Sequence, residues 1–297
     1  MPSHDPVLPP PQSLADQRFE KVALRLADDL AFGTQASLYV GSGLEYAQSR
    51  PYAPGDSVKQ LDWRLSARRG EPHVKEYDTL KRVNVMLLVD ISMSMTVSSV
   101  ELSKRDLALW IASALGLAFT SALCPVAVRS LGDGVGAVEQ REPSLERSRL
   151  WRSLADLRAA PKSTASQLAA RGAADQLELL FQTLRRRSLV VVLSDFHELG
   201  LLDSLSRLAQ RHDAAAIRLI DPAEQEPLRA GLIRGREAET GQRFVLPGRA
   251  RPAAGASFGE QARERSLDAL ELRTDRPFLA PLERFLVQRE ERSGGVR

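Results

Sequence analysis

With 297 residues, 43% of them hydrophobic and 27% charged, the chain has the balance of a globular protein that buries one sizeable core and has room for a small second lobe. Disordered and fibrous classes are excluded. The net charge of +3 gathers into no basic patch, so a nucleic-acid partner is not expected, and the arginines at 185–187 read as helix-dipole partners ahead of a buried strand.

The first 17 residues, rich in proline and lacking the basic and apolar segments of a secretory signal, read as a flexible tail. The apolar runs, such as Val85 to Val89 and Leu189 to Leu193, are far shorter than the roughly 18–20 residues that span a bilayer. No membrane span is therefore expected. The single cysteine, Cys124, has no partner for a disulfide and reads as a buried small hydrophobe. Together these features point to a cytoplasmic protein.

In chain order, Phe19 to Leu30 carries apolar residues at helical spacing. From Gly41 to Asp78 turn signals alternate with short segments such as Val74 to Tyr77, giving a small irregular or β-containing lobe over 18–80 together with the first helix. Trp63 and Tyr52 are expected to pack within it, with exposure at an interface as the alternative, and Asp56 and Asp62 to serve turns and caps.

Beyond Val83 strands and helices alternate, the pattern of a parallel sheet covered on both faces. Strands are expected at Asn84 to Asp90, Val126 to Leu131, Leu189 to Leu193 and Ala214 to Ile220. Helices are expected at Leu102 to Thr120, Leu145 to Leu157, Gln167 to Leu184 and Leu199 to Gln210. A strand at Arg243 to Leu246, a loop from Pro247 to Gly255, a strand at Leu270 to Leu272 and a helix from Phe278 to Gln288 complete the chain. The fold class is α/β, a doubly wound, mostly parallel, Rossmann-like sheet with a small N-terminal β-containing lobe. Gly132, Gly134 and Ala137 have dinucleotide-fingerprint spacing, but the polar, proline-stopped segment after them reads as a turn.

Ligands of open α/β sheets bind beyond the carboxyl ends of the strands, where strand order reverses. Two strand ends carry aspartate. VMLLVDISMS places Asp90, Ser92 and Ser94 at alternate positions, and LVVVLSDF places Asp195 after a buried run. Carboxylate and hydroxyl oxygens are hard ligands suited to Mg²⁺. An ion held by so few charges stays electrophilic and can take an outside carboxylate. His197, two residues past Asp195, reads as a polar rim residue, and Asp221-Pro222 as punctuation without a site role.

The D-x-S-x-S string resembles the metal-ion-dependent adhesion motif of von Willebrand factor A domains. The segment GSGLEYAQSRPYAPGDSVKQLDWRLSARRGEPHVKEYD, with Arg50-Pro51-Tyr52, Gly55-Asp56, Asp62-Trp63 and Ser66-Ala67-Arg68, resembles the family known as domain of unknown function 58. RHDAAAIRLIDPAEQE and EAETGQRF resemble its later portion, so the likeness runs over about residues 20–290. It implies a von Willebrand factor A-like domain over 81–297, including a C-terminal extension, with Mg²⁺ bound and Mn²⁺ or Ca²⁺ as alternatives. Asp90, Ser92 and Ser94 would be first-loop ligands and Asp195 a ligand through water. A further hydroxyl would come from Ser166, where the family has threonine, or from Thr164 two residues earlier.

The implied function is a non-enzymatic, metal-dependent adaptor whose protein partner is a MoxR-type AAA+ ATPase or that ATPase's client. The competing expectation is a Mg²⁺-dependent phosphotransferase of the haloacid dehalogenase type, with Asp90 as nucleophile. That chemistry wants an acid two residues later, where this chain has Ser92.

Overall fold

The computed structural model describes residues 18–33, 45–53, 56, 61–78, 83–132, 142–160, 172–225, 232–236, 243–247 and 257–294. The first element, α1 (Arg18–Gly33), buries Ala23, Leu26, Ala27 and Leu30 on one face, as its helical apolar spacing requires. It is followed by an antiparallel pair, β1 (Glu45–Pro51) and β2 (His73–Asp78), with the short helix α2 (Trp63–Arg69) between them.

Asp62 caps α2, accepting the Leu65 amide at 3.1 Å and the Ser49 hydroxyl at 3.0 Å. Asp56 takes a two-pronged bond from Arg50 at 2.7 and 2.8 Å. The turn and cap roles expected of these aspartates are the ones seen. Packing of Trp63 is not: it is 71% exposed, because α2 is two turns long and buries none of its residues. Tyr52 is also exposed.

The centre of the molecule is a five-stranded sheet in the order β4-β3-β5-β6-β9, every neighbouring pair parallel. Its strands are β3 (Asn84–Asp90), β4 (Val126–Leu131), β5 (Ser188–Ser194), β6 (Asp213–Ile220) and β9 (Asp268–Arg273). The helices between them are α3 (Lys104–Ser121), α4 (Arg147–Ala159), α5 (Ala173–Thr183), α6 (Leu201–Ala209), one-turn α7 (Pro222–Gln225) and α8 (Phe258–Glu264). A second antiparallel pair, β7 (Leu232–Arg236) and β8 (Arg243–Pro247), precedes α8, and α9 (Leu279–Gly294) follows β9.

Because strand side chains alternate, β3 and β5 feed two separate cores. Val85, Leu87, Val89, Leu189, Val191 and Leu193 face α1, α3, α4 and α9, while Met86, Leu88, Val190 and Val192 face α5, α6 and α8. This is the doubly wound α/β arrangement expected from the sequence. β3 has the ends expected of it, β5 extends one residue beyond the expected run at each end, and Cys124 is fully buried. Within the stretch expected as a helix from Gln167, α5 is seen from Ala173, and residues 161–171 lie outside the described set. The sequence reading passed over α8, whose start is fixed by a capping box between Ser257 and Glu260.

The chain runs outward from β3 to β4 and returns to β5 on the other side of β3, so strand order reverses between β3 and β5. The crevice beyond that point is lined by the residues following Asp90 and Ser194. Leu87 is fully buried midway along β3. Leu87→Ala should lower the unfolding free energy by about 2–5 kcal/mol in denaturant melts, and a loss under about 1 kcal/mol would contradict its central place.

Candidate metal centre

The register of β3 and β5 sets Val89 beside Leu193, so the next residues of the two strands emerge together at the switch point. Asp90 closes β3 and is 4% exposed. The Ser194 hydroxyl donates to its Oδ2 at 2.5 Å and the Ser92 amide to its Oδ1 at 2.9 Å. The hydroxyl oxygens of Ser92 and Ser94 stand 3.0 Å apart, and Ser94 in turn hydrogen-bonds the Asp195 carboxylate. Four of the five expected ligands, Asp90, Ser92, Ser94 and Asp195, thus come together. Ser166, like Thr164, lies outside the described residues.

The two carboxylates are in opposite electrostatic situations. No basic side chain among the described residues pairs with Asp90. Burial pushes its pKa up to about 6, the Ser194 hydrogen bond offsets part of this, and the Asp195 charge adds to it. Burial also acts to raise Asp195, but the Lys104 and His197 charges and the hydrogen bonds from Lys104 and Ser94 outweigh it, leaving the group below its ordinary value. A buried carboxylate without a cation, beside two hydroxyls and a second carboxylate, is a donor set of the hard-oxygen kind that suits Mg²⁺.

Three neighbours fix this geometry. Gly132, just past β4, has φ of +83°, and a Cβ there would lie 2.9 Å from Asp90 Oδ1, so only glycine lets the chain pass so close to the carboxylate. Phe196 adopts a left-handed φ of 55°, its amide held by Ser194 Oγ at 2.9 Å. This sharp turn directs Asp195 into the crevice while the Phe196 ring packs 5.0 Å from that of Phe258. Asp221, at the end of β6, accepts the Ser99 amide at 2.7 Å, the Ser99 hydroxyl, and the Ala223 amide at 2.9 Å. It ties down the loop that carries Ser92 and Ser94.

Asp221, read from the sequence as punctuation without a site role, does end β6, and in addition it anchors the loop. Lys104 and Glu224 were missed altogether. Lys104 opens α3 at 1% exposure, donates to Asp195 Oδ2 at 2.8 Å and pairs with Glu224. His197 stands at the rim as expected, 3.6 Å from Glu224 and 3.9 Å from Asp195.

The raised Asp90 pKa has a consequence for metal-free protein. Between pH about 4 and 6 the folded state holds a proton that the unfolded chain has released, so stability falls as pH rises through that window. For this group alone the loss is on the order of 3 kcal/mol. Denaturant midpoints in EDTA should show it as a difference between wild type and Asp90→Asn that grows from pH 4 to 7. Parallel pH curves would contradict the isolation of this carboxylate.

The comparisons with known proteins place these residues in a wider group. Residues 48–267 match the family described as "Protein of unknown function DUF58". Uncharacterized proteins of Mycobacterium tuberculosis and Mycobacterium bovis are each 29% identical over 293 residues, covering 94% of this chain and 90% of theirs. An uncharacterized protein of Mycobacterium avium is 34% identical over 152 residues, 47% of this chain and 86% of its own. The family match extends over well more than half of the chain and takes in every residue of the crevice from Asp90 to Glu224: the protein belongs to the DUF58 family.

Proposed function

We propose that this chain is a binding protein and not an enzyme, a metal-dependent adaptor that captures an acidic side chain of a protein partner. The ion would be Mg²⁺, with Mn²⁺ or Ca²⁺ able to replace it, held by Asp90, Ser92 and Ser94, with Asp195 beside them and Ser166 supplying a further hydroxyl. This is the arrangement of a von Willebrand factor A-like metal-ion-dependent adhesion site. Bound there, the ion supplies positive charge for an incoming carboxylate.

The observation that carries the reading is the buried Asp90 carboxylate, which has no cation beside it among the described residues yet adjoins two hydroxyls at the switch point of the sheet. Charge of this kind is tolerated inside proteins when paired or metal-bound. A protein partner is supported by the rim. Leu199, 95% exposed, follows Glu198, whose carboxylate accepts the Ala173 and Ala174 amides at 2.7 and 2.9 Å and so fixes the loop. Val97, 55% exposed, lies on the loop after Ser94. Apolar side chains on anchored loops around a polar centre suit a macromolecular contact better than a small polar substrate.

The partner class, a MoxR-type AAA+ ATPase or its client in assembly or maturation, rests on the family resemblance, and a cytoplasmic setting on the lone cysteine, which forms no disulfide framework. Among the described residues no helix is long and apolar enough to cross a membrane. The phosphotransferase alternative gains nothing from the crevice, where Ser92, at the position of the needed acid, lies against Ser94.

The test is affinity capture from the native cell extract with wild type and Asp90→Ala in parallel, each in Mg²⁺ and in EDTA. Wild type should retain a partner in Mg²⁺ only. Asp90→Ala should weaken retention at least about thirtyfold, equivalent to about 2 kcal/mol, while remaining folded. Equal capture in Mg²⁺ and EDTA would rule out metal bridging.

A further inference from the structure

Beside Asp90 lies an ionic cluster that runs from buried Asp195 through partly buried Glu224 to exposed His197, of which the proposed function uses only Asp195. Asp195, His197 and Glu224 present ligand atoms within 4.8 Å of one another, a spacing that by itself could hold a metal ion. The cluster already contains a cation, however. The Lys104 ammonium bonds Asp195 at 2.8 Å and also pairs with Glu224, so a divalent ion added among them would face an ammonium at contact range. Lys104 is pinned, because it is the first residue of α3 and its side chain is 2% exposed.

The placement divides the charges unequally. Asp195 has an internal cation of its own, whereas Asp90 has none among the described residues. A divalent ion at Asp90, Ser92 and Ser94 would therefore meet one uncompensated carboxylate, not two, and would retain excess positive charge.

We propose that Lys104 is a built-in counter-ion that withholds Asp195 from the metal, lowering the site's affinity for the ion and preserving the ion's charge for an external acid. This rests on the metal-binding reading above. Lys104 is thus a positioning residue acting through Asp195. Without its ammonium, Asp195 becomes a second free carboxylate facing the ion, and a divalent cation supplies the charge that the lysine had provided.

Direct titration with Mn²⁺, followed by the loss of the free-ion electron paramagnetic resonance signal, tests this on the full chain. Lys104→Gln should bind Mn²⁺ at least about tenfold tighter than wild type. Lys104→Arg, which keeps the charge, should stay within about threefold. A lysine that merely supports the fold would give the opposite order, with Lys104→Gln the weaker binder.

Folding of Lys104→Gln only in the presence of Mn²⁺ also supports the proposal, since the ion then replaces the ammonium. A folded Lys104→Gln binding no tighter than wild type overturns it and leaves the metal reading standing. So does an arginine variant gaining as much as the glutamine one, or a glutamine variant unfolded even at saturating Mn²⁺. If neither wild type nor a folded Lys104→Gln takes up Mn²⁺, the metal reading falls and this proposal with it.

Discussion

A carboxylate taken out of water, with no cation beside it among the described residues, constrains the carboxyl end of this sheet. Asp90 receives hydrogen bonds from the Ser194 hydroxyl and the Ser92 amide, but these leave its pKa high, and the Asp195 charge pushes it further the same way. The crowding follows from register. β3 and β5 run parallel with Val89 beside Leu193, so residues just past the two buried runs must meet. Two acidic groups at that meeting point would repel unless each charge is neutralised. Lys104 neutralises Asp195 from within the chain, while no basic side chain among the described residues pairs with Asp90.

Each strand around the switch point contributes to holding this arrangement. The end of β4 supplies Gly132, whose missing side chain makes room for Asp90. The end of β5 supplies Ser194, the left-handed turn at Phe196 and Asp195. The end of β6 supplies Asp221, which binds the Ser98-Ser99 segment from across the sheet. Ser92 and Ser94 are therefore displayed on a loop anchored at both ends, the preorganisation a binding site needs if its ligand is not to order the loop at its own cost.

Asp90 and Asp195 were legible in the sequence because a charged residue ending an apolar run has few structural reasons to be there. The sheet was legible for the same reason: VMLLVD and LVVVLSD are apolar on both faces, as strands covered on both sides must be. Lys104 gave no such signal. A lysine at the start of a helical segment reads as solvated, and only the fold shows it buried against Asp195 and Glu224. Glu224 sits in a single helical turn after Asp221-Pro222, too short to register as an element. Trp63 misled in the other direction, since aromatic character predicts burial only when a neighbouring surface exists to cover it, and α2 has none to offer. The Pro/Gly/Ala-rich stretch before α8 drew attention away from the Ser257–Glu260 pattern that starts that helix.

α3 shows how far the fold goes to place one ammonium. It is buried nearly all round, with Trp110, Leu107, Ile111 and Leu115 almost or wholly inaccessible, because α1 covers the side that the sheet does not. At its first two positions stand Lys104 and Arg105, cations at the helix end whose dipole repels them. Arg105 is offset by the carbonyls of Leu157 and Ala160 at the end of α4, at 2.6 and 2.8 Å, where a cation is favoured. Lys104 has no such helix end and depends on Asp195 and Glu224. Hydrophobic side chains could fill that volume without any of these opposing charges, and replacing buried ion pairs in that way is often neutral or stabilising. Removing the ammonium alone would leave Asp195 buried and uncompensated, so under the proposal above the one lysine both holds the cluster together and sets the charge that Asp195 presents at the switch point.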